Sequence, residues 1–356
     1  MRKFCGFVGL ASVLSLCGLS GLARAQQYTV SFDTPTLDRW MYPFNSTPGI
    51  ETTIPTFGAI LVDGFDDRDG QFLLGFDTPG QVPTGLDASR YVINSMRVTA
   101  YISANNQWQY DPSYDAVSTL YPTTDPDYTP DADVNNPVEL YAAGYRNGQS
   151  AATFTETSAY STVPPIPPVN RVRSVFAAVY DTAGNATDVS DQVRDRFDTT
   201  PMATGQNPAL TAGQAVPDGT PLYFDVNVSD PATQAYLARG LSEGRIRVII
   251  TSFSPASGQG GPNPMYPAFY SKENALAPVL GYAAKLNMDV TVTGPTCDPD
   301  VNQDGVADQG DVDYLINVIA GGENPNNANA DFNNDGVADQ GDVDALINVI
   351  AGGACP

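Results

Sequence analysis

Asp300–Gly322 reads DVNQDGVADQGDVDYLINVIAGG, and Asp331–Gly353 reads DFNNDGVADQGDVDALINVIAGG. The copies differ only at Val301/Phe332, Gln303/Asn334 and Tyr314/Ala345. In each, a loop of Asp, Asn and Gly runs into an apolar stretch. Val312, Leu315, Ile316 and Ile319 fall at i, i+3, i+4 and i+7, one face of a helix, and Val343, Leu346, Ile347 and Ile350 repeat the pattern. Gly321-Gly322 supplies a helix stop. Neither short helix can bury its stripe alone, so the two are expected to pack together, antiparallel.

The loops carry their own chemistry. Oxygen donors stand at positions 1, 3, 5, 9 and 12, with Gly at 6: Asp300, Asn302, Asp304, Asp308 and Asp311 around Gly305, then Asp331, Asn333, Asp335, Asp339 and Asp342 around Gly336. This is the ligand plan of an EF-hand-type loop, with Asp in place of the usual Glu at position 12. Calcium is a hard ion that takes six to eight oxygens, and alternate residues of a tight loop point inward. The backbone carbonyls of Val306 and Val337, at position 7, are expected to join them. The expectation is therefore two calcium ions, with binding coupled to folding because the clustered carboxylates repel one another without the metal.

A calcium loop followed by a single helix, duplicated, resembles a dockerin, and the resemblance covers Asp300–Gly353. It implies a cohesin-like protein partner. Where type I dockerins carry Ser-Thr at positions 10 and 11 and Lys-Arg in the helix, this chain has Gln309-Gly310 and Asn317-Val318, repeated as Gln340-Gly341 and Asn348-Val349. The calcium scaffold carries over and the partner specificity does not. A calcium-stabilised cap without a partner is the alternative. Cys297 and Cys355 flank the repeat, and an antiparallel pseudo-twofold pair brings them within reach of a disulfide.

Arg2-Lys3, the apolar run Phe4–Leu19 and Ala23-Arg24-Ala25 have the form of a secretory signal peptide cleaved near Ala25, taking Cys5 and Cys17 with it. A secreted or cell-surface location follows, which favours oxidation of the remaining cysteines. No other stretch is long and apolar enough to span a bilayer. The full chain carries 17 basic and 40 acidic residues, net −23. Such a charge repels nucleic acid and anionic lipid. The absence of histidine removes the usual base of serine and cysteine hydrolases and the commonest zinc ligand.

Residues 26–293 read differently from the tail that follows the short linker 294–299. Apolar runs separated by turn residues mark strands at Tyr28–Phe32, Gln71–Phe76, Met96–Ser103, Val172–Tyr180, Leu222–Val228, Ile246–Ser252 and Asn287–Thr293, with one short helix at Thr233–Gly240. The fold class is mainly β: an antiparallel β-sandwich or jelly roll with long loops in its middle, followed by a small all-α calcium loop-helix domain over 300–356. QFLLGFD (Gln71–Asp77), VPTGL (Val82–Leu86), INSMRVTAYIS (Ile93–Ser103) and FYSKEN (Phe269–Asn274) resemble the core and closing motifs of DNRLRE-type jelly rolls, relatives of carbohydrate-binding modules.

Three features of this domain bear on chemistry. Asp63, Asp66, Asp67 and Asp69 form either a solvated hairpin turn or a structural calcium loop. Arg39-Trp40-Met41-Tyr42 and Trp108-Gln109-Tyr110 supply aromatics for a core or for stacking on sugars. The many carboxylates single out no acid/base pair, so no catalytic residue is assigned. The reading that results is a secreted, non-catalytic protein with a glycan-binding or adhesive sandwich and a calcium-binding tail for anchoring. The alternatives are a polysaccharide-degrading enzyme recruited through its tail and a purely structural envelope protein.

Overall fold

The computed structural model describes residues 25–133, 135–164, 170–256, 266–293, 297–333, 335–353 and 355–356. The signal-peptide reading, much of the linker and part of the long middle loops lie outside the described residues. The chain divides into two compact units, Gln26–Val292 and a C-terminal unit running from Thr293 to Pro356.

The first unit contains strands β1 (Gln26–Phe32), β2 (Leu37–Met41), β3 (Thr53–Pro55), β4 (Phe57–Gly58), β5 (Arg68–Asp77), β6 (Tyr91–Tyr101), β7 (Val138–Tyr145), β8 (Val175–Tyr180), β9 (Ala186–Asp188), β10 (Ala203–Thr204), β11 (Pro221–Asp225), β12 (Arg245–Ser252), β13 (Ala268–Tyr270) and β14 (Lys285–Val292). Helices α1 (Gln192–Asp195), α2 (Pro231–Ser242) and α3 (Ala277–Leu280) lie between them. One antiparallel sheet has the order β1-β14-β6-β11. A second, larger sheet runs β2-β5-β12-β7-β8-β9, with β10 added beside β7 and β4 beside β5, and β13 pairs with β3 in a two-stranded sheet.

The main core lies between the sheets. Val98, Phe224, Leu286 and Met288 from the smaller sheet join Phe72, Leu74, Leu140, Val248 and Ile250 from the larger. Alternation sends the neighbours of the second set the other way, so Leu73, Tyr141 and Ile249 form a separate core with Phe154, Val175 and Val189. The larger sheet is therefore buried on both faces. This explains why β5 reads RDGQFLLGFD without a polar face, with nine of its ten residues buried. β6 keeps more of the half-buried alternation.

All seven expected strands are present with shifted ends. The largest shift is at β6, which starts five residues early at Tyr91, and β8 starts three residues late at Val175, with Arg173 and Ser174 buried outside it. The expected short helix lies within α2, started by Pro231 and by Asp230, whose carboxylate accepts the Thr233 N–H at 2.8 Å. The expected long middle loops are replaced in part by β7, a central strand bonded to β12 and β8. Its VELYAAGY sequence is poor in branched residues, and pairing on both sides outweighs that weak propensity.

Gly144 in β7 lies opposite Phe176 in β8, whose ring lies across the glycine and leaves no room for a Cβ. The Arg146 guanidinium stacks 4.0 Å from the centre of that ring. Gly144→Ala should destabilise the unit by about 1–3 kcal/mol in urea unfolding. Adding Phe176→Leu should recover part of the loss; equal stability of Gly144→Ala and the parent chain would refute this packing.

Candidate functional site

In the C-terminal unit each loop closes onto its helix, α4 (Gln309–Ile319) or α5 (Gln340–Ile350). Asp300 accepts the N–H groups of Asp304 at 3.0 Å and Gly305 at 2.9 Å, and Asp331 does the same for Asp335 and Gly336. Gly305 and Gly336 sit at φ of 95° and 93°, where a side chain would strain the turn. Asp304 and Asn302 in turn accept backbone N–H groups of Val306 and Asp304.

Position 12 ties loop to helix. Asp311 is fully buried and accepts from Asn302 N at 3.0 Å and Asp308 N at 2.8 Å, and Asp342 repeats both bonds with Asn333 and Asp339. Asp308 and Asp339 cap the helices by accepting from Gly310 and Gly341 at 2.7 Å. Positions 9 and 12 are thus also the two halves of a capping box, where the helix dipole favours negative charge. Burial works against ionisation of Asp342, but these backbone donors hold its carboxyl below the usual range. The side chains of Val306 and Val337 are exposed, consistent with a contribution from the backbone alone.

These residues fit a calcium ion on the chemistry of the donor set. From Cys297 to Pro356 the chain has twelve carboxylates and no lysine or arginine, so this unit has no side-chain cation of its own. Calcium would be held by Asp300, Asn302, Asp304, the Val306 carbonyl, Asp308 and Asp311, and by their second-loop counterparts.

The small core beneath the loops differs from the expected stripe. Val312, Leu315, Val343 and Leu346 are buried, whereas Ile316 and Ile347 are each 47% exposed. The loops themselves provide the missing partners: Val301 and Phe332, at position 2, are buried among the helix residues. Two 11-residue helices bury a narrower face when their loops fold over them. Cys297 and Cys355 form a disulfide across 58 residues, which in the chain-entropy account removes about 4 kcal/mol of denatured-state freedom.

The sandwich corrects the expectation for the Asp63–Asp69 stretch. Only Asp63 is solvated; Asp66, Asp67 and Asp69 are buried. Asp66 accepts from Arg173 Nε at 2.5 Å and Arg171 N at 2.6 Å, and Asp67 accepts from Leu61 N and Arg194 N. Arg173 also donates to the carbonyls of Arg68 and Asp69, while Arg68 pairs with Glu139 at 2.5 Å and stacks on Phe253. The stretch is a buried polar hub, filled by arginines remote in sequence. Burial pushes Asp69 up to about 7, against the pull of Arg173 and with the help of Asp66.

The aromatics divide. Trp108 and Tyr110 are core residues. Trp40 stacks on Tyr42 with ring centres 4.5 Å apart, Tyr42 meets Phe44 at 5.7 Å, and Phe44 meets Phe65 at 6.0 Å. Phe44 is 43% exposed, and Trp40, Tyr42 and Phe65 are half-buried, so this series forms a partly open aromatic patch beside β2.

Asp66→Ala should cost about 3–5 kcal/mol because it strands Arg173 in a dry interior, and Asp66→Ala with Arg173→Met should be markedly more stable than the single variant. Chemical denaturation followed by tryptophan fluorescence reads both; equal stability of the two variants would show that Arg173 is not confined.

Compared with known proteins, the chain matches no family model and no curated protein. Among solved structures it has weak likeness to a human polyomavirus 6 VP1 pentamer, at 11% identity over 77% of this chain and 97% of that one, with a TM-score of 0.24. An unassembled KI polyomavirus VP1 pentamer gives 11% identity, 80% and 99% coverage, and a TM-score of 0.24. Likeness at that level carries no argument about this chain.

Proposed function

We propose that this is an extracellular, non-catalytic protein whose β-sandwich binds polysaccharide and whose C-terminal dockerin-like module, loaded with two calcium ions, attaches it to a protein partner. The observation that carries the reading is the duplicated loop-helix. Every oxygen donor recurs in register, in a segment with twelve carboxylates and no basic side chain. Calcium supplies the positive charge that this segment lacks.

Two further observations support the division of labour. Ile316 and Ile347 occupy the same place in each copy and stay exposed, so each helix offers an apolar contact beyond its own core. Such duplicated contacts suit a cohesin-like partner able to engage either copy. On the sandwich, the Trp40-Tyr42-Phe44 patch offers rings of the kind that stack on sugar faces. Among the described residues no helix is long and apolar enough to cross a membrane.

Calorimetric titration of the intact chain should show calcium binding that falls by two ions in Asp300→Ala/Asp331→Ala. EDTA should lower the helical circular dichroism of the parent chain; a signal indifferent to EDTA and an unchanged titration would defeat the calcium assignment. For the sandwich, retention on insoluble polysaccharides should fall at least tenfold in Trp40→Ala/Tyr42→Ala. Release of reducing sugar by the parent chain would instead establish an enzyme.

A further inference from the structure

A second concentration of carboxylates lies in the sandwich unit, apart from the C-terminal loops in sequence and in chemistry. Asp111, Asp115 and Asp133 each place one oxygen within 4.8 Å of the other two. Asp111 is 1% exposed, Asp115 is half-buried, and Asp133 reaches solvent. The Oδ2 atoms of Asp111 and Asp115 are shielded from water and accept no hydrogen bond among the described residues. Burial of an anionic oxygen without a partner is costly, and such atoms ordinarily mark a missing proton or cation.

Ser113 sharpens the point. Its Oγ lies 2.5 Å from Asp111 Oδ1 and 2.8 Å from Asp133 Oδ2. A hydroxyl has one hydrogen, so it donates to one carboxylate and turns a lone pair toward the other. Nor does a basic side chain neutralise the group. Among the described residues, no ion pair includes Asp111, Asp115 or Asp133; Arg68 is engaged by Glu139, and Arg196 by Asp125 and Asp127.

The backbone that presents these groups is fixed by other contacts. Tyr110 is buried, donates its N–H to Gln214 O at 2.8 Å, and accepts the Asn207 N–H on its hydroxyl at 2.8 Å. The Asn135 amide donates to Gln109 O, which draws the strand of chain bearing Asp133 toward that bearing Asp111. Val117, just beyond Asp115, is buried against Val193 and Phe253. The carboxylates are thus brought together by packing that does not depend on the ion.

We infer that Asp111, Asp115 and Asp133 form a third divalent-cation site, selective for calcium, that locks the segment between β6 and β7 onto the sandwich. All the donors are oxygen, which selects a hard cation. Calcium, with ligands at about 2.3–2.6 Å in flexible geometry, bridges oxygens separated by up to about 5 Å, whereas magnesium demands about 2.0–2.1 Å and a regular octahedron. Water completes the coordination from the open side at Asp133.

The test uses the full chain carrying Asp300→Ala and Asp331→Ala, titrated with calcium chloride, with the fold of the sandwich followed by its two tryptophans, Trp40 and Trp108. One ion should bind per chain and raise the melting temperature read by tryptophan fluorescence. Adding Asp133→Asn, a change at an exposed carboxylate that leaves the core intact, should weaken calcium at least tenfold and abolish the shift. Magnesium should bind at least tenfold more weakly than calcium.

Two ions in the parent chain and none in Asp300→Ala/Asp331→Ala would overturn this site while leaving the C-terminal loops in place. Three ions in the parent chain, of which one survives Asp300→Ala/Asp331→Ala and is lost on Asp133→Asn, would support it; a single ion in the parent chain with that same behaviour would support it and overturn the loops. Calcium binding unaffected by Asp133→Asn would also overturn it.

Discussion

The larger sheet is buried on both faces, and most of the sandwich unit follows from that condition. One face meets the smaller sheet through Phe72, Leu74 and Val248, and the other meets the segment that carries Phe154 and Val189. A sheet covered twice leaves no wet side on which to place polar residues. Those that its chain must still contain gather at the ends of β5 and β7, where Arg68, Asp69 and Glu139 are buried. Arg173 then binds the second layer to the first through Asp66 and the carbonyls of Arg68 and Asp69. The hub is a consequence of double burial, and it also fixes the covering segment in register.

The C-terminal unit solves a different problem. Among the described residues its core consists of six buried apolar side chains, one from the loop and two from the helix of each copy. So small a core leaves little margin against chain entropy. The unit adds a disulfide between Cys297 and Cys355, capping boxes on both helices, and two loops whose carboxylates suit a cation. Asp311 and Asp342 connect these devices, because each is at once a helix-capping group and the last donor of its loop. A ligand at that position would therefore bear directly on the start of the helix.

Much of this was legible in the chain. Repetition exposed the loop spacing and both helices, since ligand position and apolar period are local properties. Long apolar runs such as FLLGF identified β5, and RVTAYI identified β6. β7 was missed because VELYAAGY has small residues where a strand ordinarily has branched ones, and its identity comes from neighbours on both sides. Ile316 and Ile347 were assigned to the buried stripe because periodicity gives the direction of a side chain and not the width of the partner it meets. Val301 and Phe332 left a trace, an apolar residue conserved in kind between the copies at an otherwise polar loop.

What the sequence by itself determined is what depends on near neighbours: strand and helix positions, the order of oxygen donors, the acidic charge, and the pair of cysteines that bracket the repeat. Tertiary structure alone decided what depends on distant residues. DGFDDRDG has the composition of an exposed turn, yet Arg173 and Arg194, more than a hundred positions later, make it an interior. Asp111, Asp115 and Asp133 look like ordinary loop acids until folding sets their oxygens beside one another. A carboxylate's role is set by the charges and donors around it, and the chain order does not encode those that arrive from elsewhere in the fold.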